Sequence, residues 1–137
     1  MGKELLNTFK ELLLKDLCGR LPYGVKVDSV FIDPDTKKHI SCGIEVFTAT
    51  NILMIRDGLG EFKPYLFPIS SMTDEQKQYL KNRFCYDWNN EPYDLWICQI
   101  EIGDIDELID WFHKNHIDYR CLIPMGLAND ATGLNIY

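Results

Sequence analysis

Residues 103–123, GDIDELIDWFHKNHIDYRCLI, contain the clearest helix signal of the chain and its densest group of reactive side chains. Ile105, Leu108 and Phe112 recur at the spacing of one helix face. Asp104 and Glu107 lie in the first turn, where acidic groups favour the positive end of the helix dipole. The pattern predicts a helix that ends near Asn115 and packs its apolar stripe on a core, followed by a strand over residues 117–123.

The remaining periodicities predict an α+β fold. Leucines and Phe9 at helical spacing indicate an amphipathic N-terminal helix that closes at Cys18-Gly19. Thr73 and Gln76 form a capping-box pattern that begins a second helix. Alternating or β-branched runs predict strands at residues 25–32, 40–48, 52–55 and 95–102.

Two further features set the expected architecture. Pro64 and Pro68 demote residues 61–69 to an edge strand or a loop, because proline cannot donate to a sheet ladder. Short links between the early strands favour antiparallel pairing. We therefore expect one domain over residues 1–137, with a mainly antiparallel sheet of about four to five strands covered by three helices.

Composition excludes several classes of function. The 137 residues carry a net charge of −7, from 21 acidic and 14 basic residues, and no Lys/Arg cluster offers a phosphate-binding footprint. The sequence therefore predicts no direct contact with nucleic acid. No apolar run approaches the length of a membrane span, and no motif predicts a bound cofactor. The five cysteines include no C-x-x-C pair, which indicates free thiols in the cytoplasm.

The first candidate site is a group of potential ligands around the end of the last helix. His113, His116, Asp118 and Cys121 could bind a transition metal or act as a base and a nucleophile, so a small enzyme or metal-binding protein is one alternative. The periodicity instead predicts a core position for His116 and a boundary position for His113. It also places Cys121 among buried apolar residues, and Asp118 beside Arg120 in a solvated ion pair.

The second candidate site is an aromatic segment in a polar setting. Tyr86, Trp88 and Tyr93 alternate with acidic and amide residues over positions 84–96. Aromatic side chains in polar loops supply rigid contact area to protein partners. The leading hypothesis is therefore a non-enzymatic module that binds an unidentified protein through these three residues. A third hypothesis is an acidic mimic of nucleic acid, which requires carboxylates along one face.

Three segments carry a resemblance to known sequences: DLCGRLPYGVKV at 16–27, KPYLFPISSMT at 63–73 and HIDYRCLIPMGLA at 116–128. Together they resemble a family of short, uncharacterised proteins from gut anaerobic bacteria and their mobile elements. The resemblance implies a bacterial, cytoplasmic protein linked to prophages or other mobile elements. It implies no activity and no functional residues.

Overall fold

The computed structural model describes the backbone of residues 2–84 and 102–137, and the side chains of residues 8–84 and 104–137. These ranges contain four α-helices and five strands. In chain order the elements are α1 (Gly2–Arg20), β1 (Lys26–Ile32), β2 (His39–Val46), α2 (Ala49–Arg56), β3 (Gly60–Pro68), α3 (Asp74–Phe84), α4 (Ile102–Lys114), β4 (Ile117–Asp118) and β5 (Asn129–Asp130). None of these helices has the length and apolar character needed to cross a membrane.

The five strands form one mixed, mostly antiparallel sheet, which confirms the α+β prediction. Its strand order is β2-β1-β3-β4, and β5 also pairs with β3. Strand β1 is antiparallel to both β2 and β3, whereas the short strands β4 and β5 run parallel to β3. Because β3 contacts three other strands, it organises the sheet.

Helix α2 replaces the strand predicted at 52–55, so the described residues contain one helix more than the three expected. The backbone N–H of Thr48 donates to the Asn51 side chain at 2.8 Å and fixes the first turn. Ile52 and Ile55 then pack on the sheet core, while Leu53 is exposed. A short apolar run fits a strand or a helix equally well, and here the cap decides between them.

The prediction that β3 is an edge strand or a loop was wrong, and the ladder shows why a proline is tolerated. Pro64 lies opposite Val27 of β1. The Ile32 N–H donates to the Leu59 carbonyl at 2.8 Å, and antiparallel hydrogen-bonded pairs alternate from that point. The Val27–Pro64 pair therefore falls at a non-hydrogen-bonded position, where the missing N–H of proline removes no hydrogen bond to β1.

A β-bulge in β2 changes the predicted faces of that strand. The register passes from Ser29–Gly43 to Val30–Ser41, which leaves Cys42 as an extra residue. Directly paired residues lie on the same face of a sheet. Ile40, paired with Phe31, is therefore on the opposite face from Ile44, paired with Asp28. Strict alternation along the predicted strand 40–48 would place both isoleucines on one face, because a bulge has no period-2 signal.

Two groups of buried apolar residues form the core. One lies between α3, α4 and β4 and includes Leu80, Leu108, Phe112 and Ile117. The other lies between α1 and the sheet and contains Leu17, Val25, Val27, Phe47, Phe62, Leu66, Leu122 and Ala128. The apolar stripe predicted for α4 is confirmed, since Leu108 and Phe112 expose 2% and 1% of their surface.

Truncation of Phe112 tests the first core group. Its ring stacks on Tyr119 with a centroid distance of 5.2 Å and is fully buried. Phe112→Ala should lower the free energy of unfolding by about 3–5 kcal/mol, because the cavity cannot collapse fully. Urea denaturation measures the change, and Leu134→Ala, at an exposed position, is the matched control. A loss below about 1 kcal/mol would contradict the assignment of Phe112 to the core.

Candidate functional site

Tyr86, Trp88 and Tyr93, the predicted partner contacts, lie outside the described residues, as does most of the strand predicted at 95–102. Their role stays a prediction. The four residues of the predicted metal or catalytic site are all described, and each has its own surroundings.

His113 is buried rather than at the boundary of α4. It exposes 5% of its surface and faces Gly19 of α1, where an added Cβ would lie 2.7 Å from the imidazole Cε1. Gly19 is therefore needed for close helix approach, and the left-handed turn after α1 falls instead at Gly24, with a φ of 69°. The Nε2 of His113 lies 2.8 Å from the Tyr119 hydroxyl.

His116 lies past the end of α4 in a left-handed backbone conformation, with a φ of 57°. Its ring stacks on Tyr137 at a centroid distance of 3.6 Å. The Tyr137 hydroxyl in turn accepts from the Lys26 N–H and donates to the Tyr65 carbonyl, each at 2.8 Å. This hydroxyl bridges β1 and β3 at the position just past their last ladder pair, Val27–Pro64. His116 therefore packs against a structural tyrosine and is only half-buried.

Asp118 is buried, which corrects the predicted solvated ion pair with Arg120. Its two carboxylate oxygens accept from the backbone N–H groups of Leu122 and Ile123, each at 2.9 Å. A carboxylate that closes a turn in this way satisfies amides that would otherwise be unpaired inside the protein. The role of Asp118 is therefore structural.

Cys121 is exposed, whereas the sequence pattern had predicted a buried thiol. The alternation fails because β4 ends at Asp118 and Cys121 adopts a left-handed conformation, with a φ of 59°. The four predicted ligands thus face four different surroundings. Across residues 2–84 and 102–137, no group of three His, Cys, Asp or Glu side chains could hold a metal ion.

The most polar part of the described interior was not predicted. Asp16 and Arg20, one turn apart on α1, are both fully buried and form an ion pair at 2.8 Å. A second nitrogen of Arg20 donates to the Ile117 carbonyl at 2.7 Å. Arg120 lies 3.6 Å from the other oxygen of Asp16. The i,i+4 spacing of an acid and an arginine was visible in the sequence, but on most helices it marks a solvated face.

Tyr119 connects this buried charge cluster to His113. The Arg120 Nε donates to the Tyr119 hydroxyl at 3.1 Å. The hydroxyl therefore accepts from Arg120 and has its own proton to donate to the Nε2 of the neutral His113 ring. The guanidinium groups of Arg20 and Arg120 also lie over the Tyr119 ring, at 5.5 and 5.1 Å from its centroid. Tyr119 is thus contacted by two guanidinium groups at its ring and by two hydrogen-bond partners at its hydroxyl.

The surroundings favour the neutral forms of His113, His116 and Tyr119. Burial, and then the charge of Arg20, lowers the pKa of His113 and of His116 to about 4. Burial raises the pKa of the Tyr119 hydroxyl. General acid–base catalysis at neutral pH needs a group whose pKa lies near 7. These histidines and this tyrosine do not meet that requirement.

The candidate functional surface is instead the free side of β2, the side on which no strand of residues 2–84 or 102–137 pairs with it. All eight residues of this strand are exposed, and Ile40, Ile44 and Val46 each expose nearly half of their surface. The Phe47 N–H donates to the Val25 carbonyl and the Asp33 N–H to the Lys38 carbonyl, each at 2.9 Å. Counting by alternation from these two pairs, the backbone groups of His39, Ser41, Ile44 and Val46 point away from β1.

The bulge divides this edge into two short stretches, residues 39–41 and 44–46. Bulges on edge strands limit uncontrolled strand pairing. A partner strand could therefore pair regularly with only a few residues on one side of Cys42-Gly43. This arrangement favours a short, selective contact over open-ended association.

Comparison with known proteins adds no further constraint. No family model matches the chain, and neither the curated proteins nor the solved structures contain a significant match.

The low histidine pKa values predict loss of stability in acid. Between pH 4 and 6.5 the folded state binds fewer protons than the unfolded state. The contribution of the neutral histidine to the free energy of unfolding is therefore complete above pH 6.5 and is lost as the pH falls toward 4. For His113, this loss between pH 7 and 4.5 is about 2 kcal/mol. Urea denaturation at the two pH values measures it.

Two variants isolate the contribution of His113. His113→Gln should lose about 2 kcal/mol less between the two pH values than the native protein, since glutamine does not titrate. His39→Gln, at an exposed position, should retain the full native loss. The same pH dependence in the native protein and in His113→Gln would contradict a neutral, buried His113.

Proposed function

We propose that this chain is a non-enzymatic protein-interaction module that binds an extended segment of a partner protein along the free side of β2. The single observation that carries the proposal is the exposure of all eight residues of an edge strand that bears three large apolar side chains. Addition of a strand to an open sheet edge is a recurrent mode of peptide recognition.

The chemistry of this edge defines the partner. Outward backbone groups at Ile44 and Val46 supply hydrogen bonds, and these two side chains lie on one face beside Asp28 and Lys26 of β1. A complementary strand would carry β-branched or aromatic residues at alternate positions, which pack well across strands. Lys37 and Lys38, just before β2, favour acidic residues at the neighbouring end of that strand.

The lowered pKa values of His113 and His116 support the non-enzymatic part of the proposal, because neither imidazole is suited to proton transfer at neutral pH. The proposed setting is the bacterial cytoplasm, in a protein linked to mobile elements, and it rests on the sequence resemblance and the cysteine pattern. Tyr86, Trp88 and Tyr93 remain proposed contacts to the same class of partner.

Selection from a phage-displayed library of random nonapeptides tests the proposal, because such a library samples every short strand sequence and needs no identified partner. The purified chain should enrich peptides with β-branched or aromatic residues at alternate positions. Hydrogen exchange of the complex should show protection at the amides of His39, Ser41, Ile44 or Val46, because an added strand pairs with outward groups.

Two substitutions at one position separate backbone from side-chain recognition. Ile44→Pro removes an outward N–H without removing a hydrogen bond to β1. It should therefore weaken the binding of the selected peptides at least about tenfold. Ile44→Thr keeps the N–H and the β-branch and should weaken them less. Circular dichroism checks that both variants fold. No enriched peptide, or equal binding by native and Ile44→Pro chains, would overturn the proposal.

A further inference from the structure

An open cleft lies between helix α1 and strands β1 and β3, away from the free side of β2. Its volume is about 520 Å³. Its apolar lining includes Phe9, Leu13 and Leu14 of α1, Val30 and Ile32 of β1, and Leu127. Protein interiors leave few voids larger than a water molecule. A space of this size is within the range of small-molecule sites, about 300–1,000 Å³.

Two exposed turn glycines on the lining contribute no side chain to the cleft. Gly58 and Gly126 both have left-handed backbones, with φ values of 72° and 75°, and an added Cβ on either would meet no atom within 4 Å. Leu14 is half-buried, lines the cleft and belongs to neither core group. An apolar ligand would bury side-chain surface that the described chain leaves open, and burial of apolar area is the main driving force for such binding.

The charges on the lining select the head group of the ligand. Lys10 and Lys63 line the cleft together with Asp28 and Glu61. Lys63 lies directly opposite Asp28 in the β1–β3 ladder, so these two charges offset each other. The Glu61 carboxylate lies 3.9 Å from His39 and is thus placed toward β2. Lys10, on α1, takes part in none of the ion pairs found among the described residues.

From these features we infer that the cleft binds an amphipathic organic anion, a single molecule with an acyl-like apolar body and one negative head group. The body lies on the leucines of α1 and the apolar residues of β1, and the head group meets Lys10. This ligand site is separate from the strand edge, so a partner protein and the small molecule can bind together.

Three twelve-carbon ligands that differ in head charge test this inference. Isothermal titration calorimetry with the full chain, below the micelle concentrations, compares laurate, dodecanol and dodecyltrimethylammonium. Laurate should bind with a dissociation constant on the order of 10 µM, with dodecanol weaker and the cation weakest. Laurate binding weaker than about 1 mM, or equal binding of laurate and the cation, would overturn the inference.

Matched variants on α1 place the ligand in the cleft. Lys10→Glu should weaken the binding of laurate about fivefold, which is the scale of an exposed ion pair, and should not weaken the binding of the cation. Lys15→Glu, exposed on the same helix but away from the cleft, should leave both unchanged. Leu14→Asn should weaken the binding of both ligands. Equal effects of Lys10→Glu and Lys15→Glu, or no effect of Leu14→Asn, would contradict the site.

A membrane surface presents the same chemistry in another form. Sedimentation with phosphatidylglycerol vesicles distinguishes the two sources. Vesicle binding without binding of monomeric laurate would show a surface interaction and overturn the inference of a single-molecule site.

Discussion

The arrangement of the helices depends on the ion pair and the hydrogen bond that the buried guanidinium of Arg20 forms. The guanidinium pairs with Asp16 on its own helix and donates across the chain to the Ile117 carbonyl at the start of β4. A charge removed from water is stable only when it is paired and hydrogen-bonded. Helix α1 packs in the position that brings Arg20 to β4, and this position also brings Gly19 against His113.

This constraint decides how the reactive residues are used. His113, Tyr119 and Arg120 are joined in one hydrogen-bonded chain beside the Asp16–Arg20 pair, and Asp118 closes the following turn. Burial, and then the positive charge of Arg20, lowers the pKa of both histidines to about 4. His113, His116 and Asp118 thus take part in the packing of the fold, and the strand edge and the cleft are the binding surfaces that we propose among the described residues.

The sequence predicts a structural feature when the residues that produce it lie close together in the chain. The capping box at Thr73 and Gln76 is confirmed, with hydrogen bonds of 3.0 and 3.1 Å, because a cap involves residues three apart. The apolar stripe of α4 follows from helical periodicity for the same reason. The central position of β3, the bulge at Cys42 and the burial of Asp16 depend on strand pairing and on contacts between distant residues. Strand pairing and contacts between distant residues leave no periodic signal in the sequence. The prediction from the prolines therefore failed for β3, and strict alternation failed at the Cys42 bulge.

A double-mutant cycle on Asp16 and Arg20 tests the central claim most directly. Arg20→Met alone leaves a buried carboxylate with only Arg120 beside it, and should lower the free energy of unfolding by about 3–5 kcal/mol. Asp16→Leu combined with Arg20→Met removes both charges and should recover at least about 2 kcal/mol of that loss. Additive losses, or a loss below about 1 kcal/mol for Arg20→Met, would show that this ion pair does not determine how α1 packs.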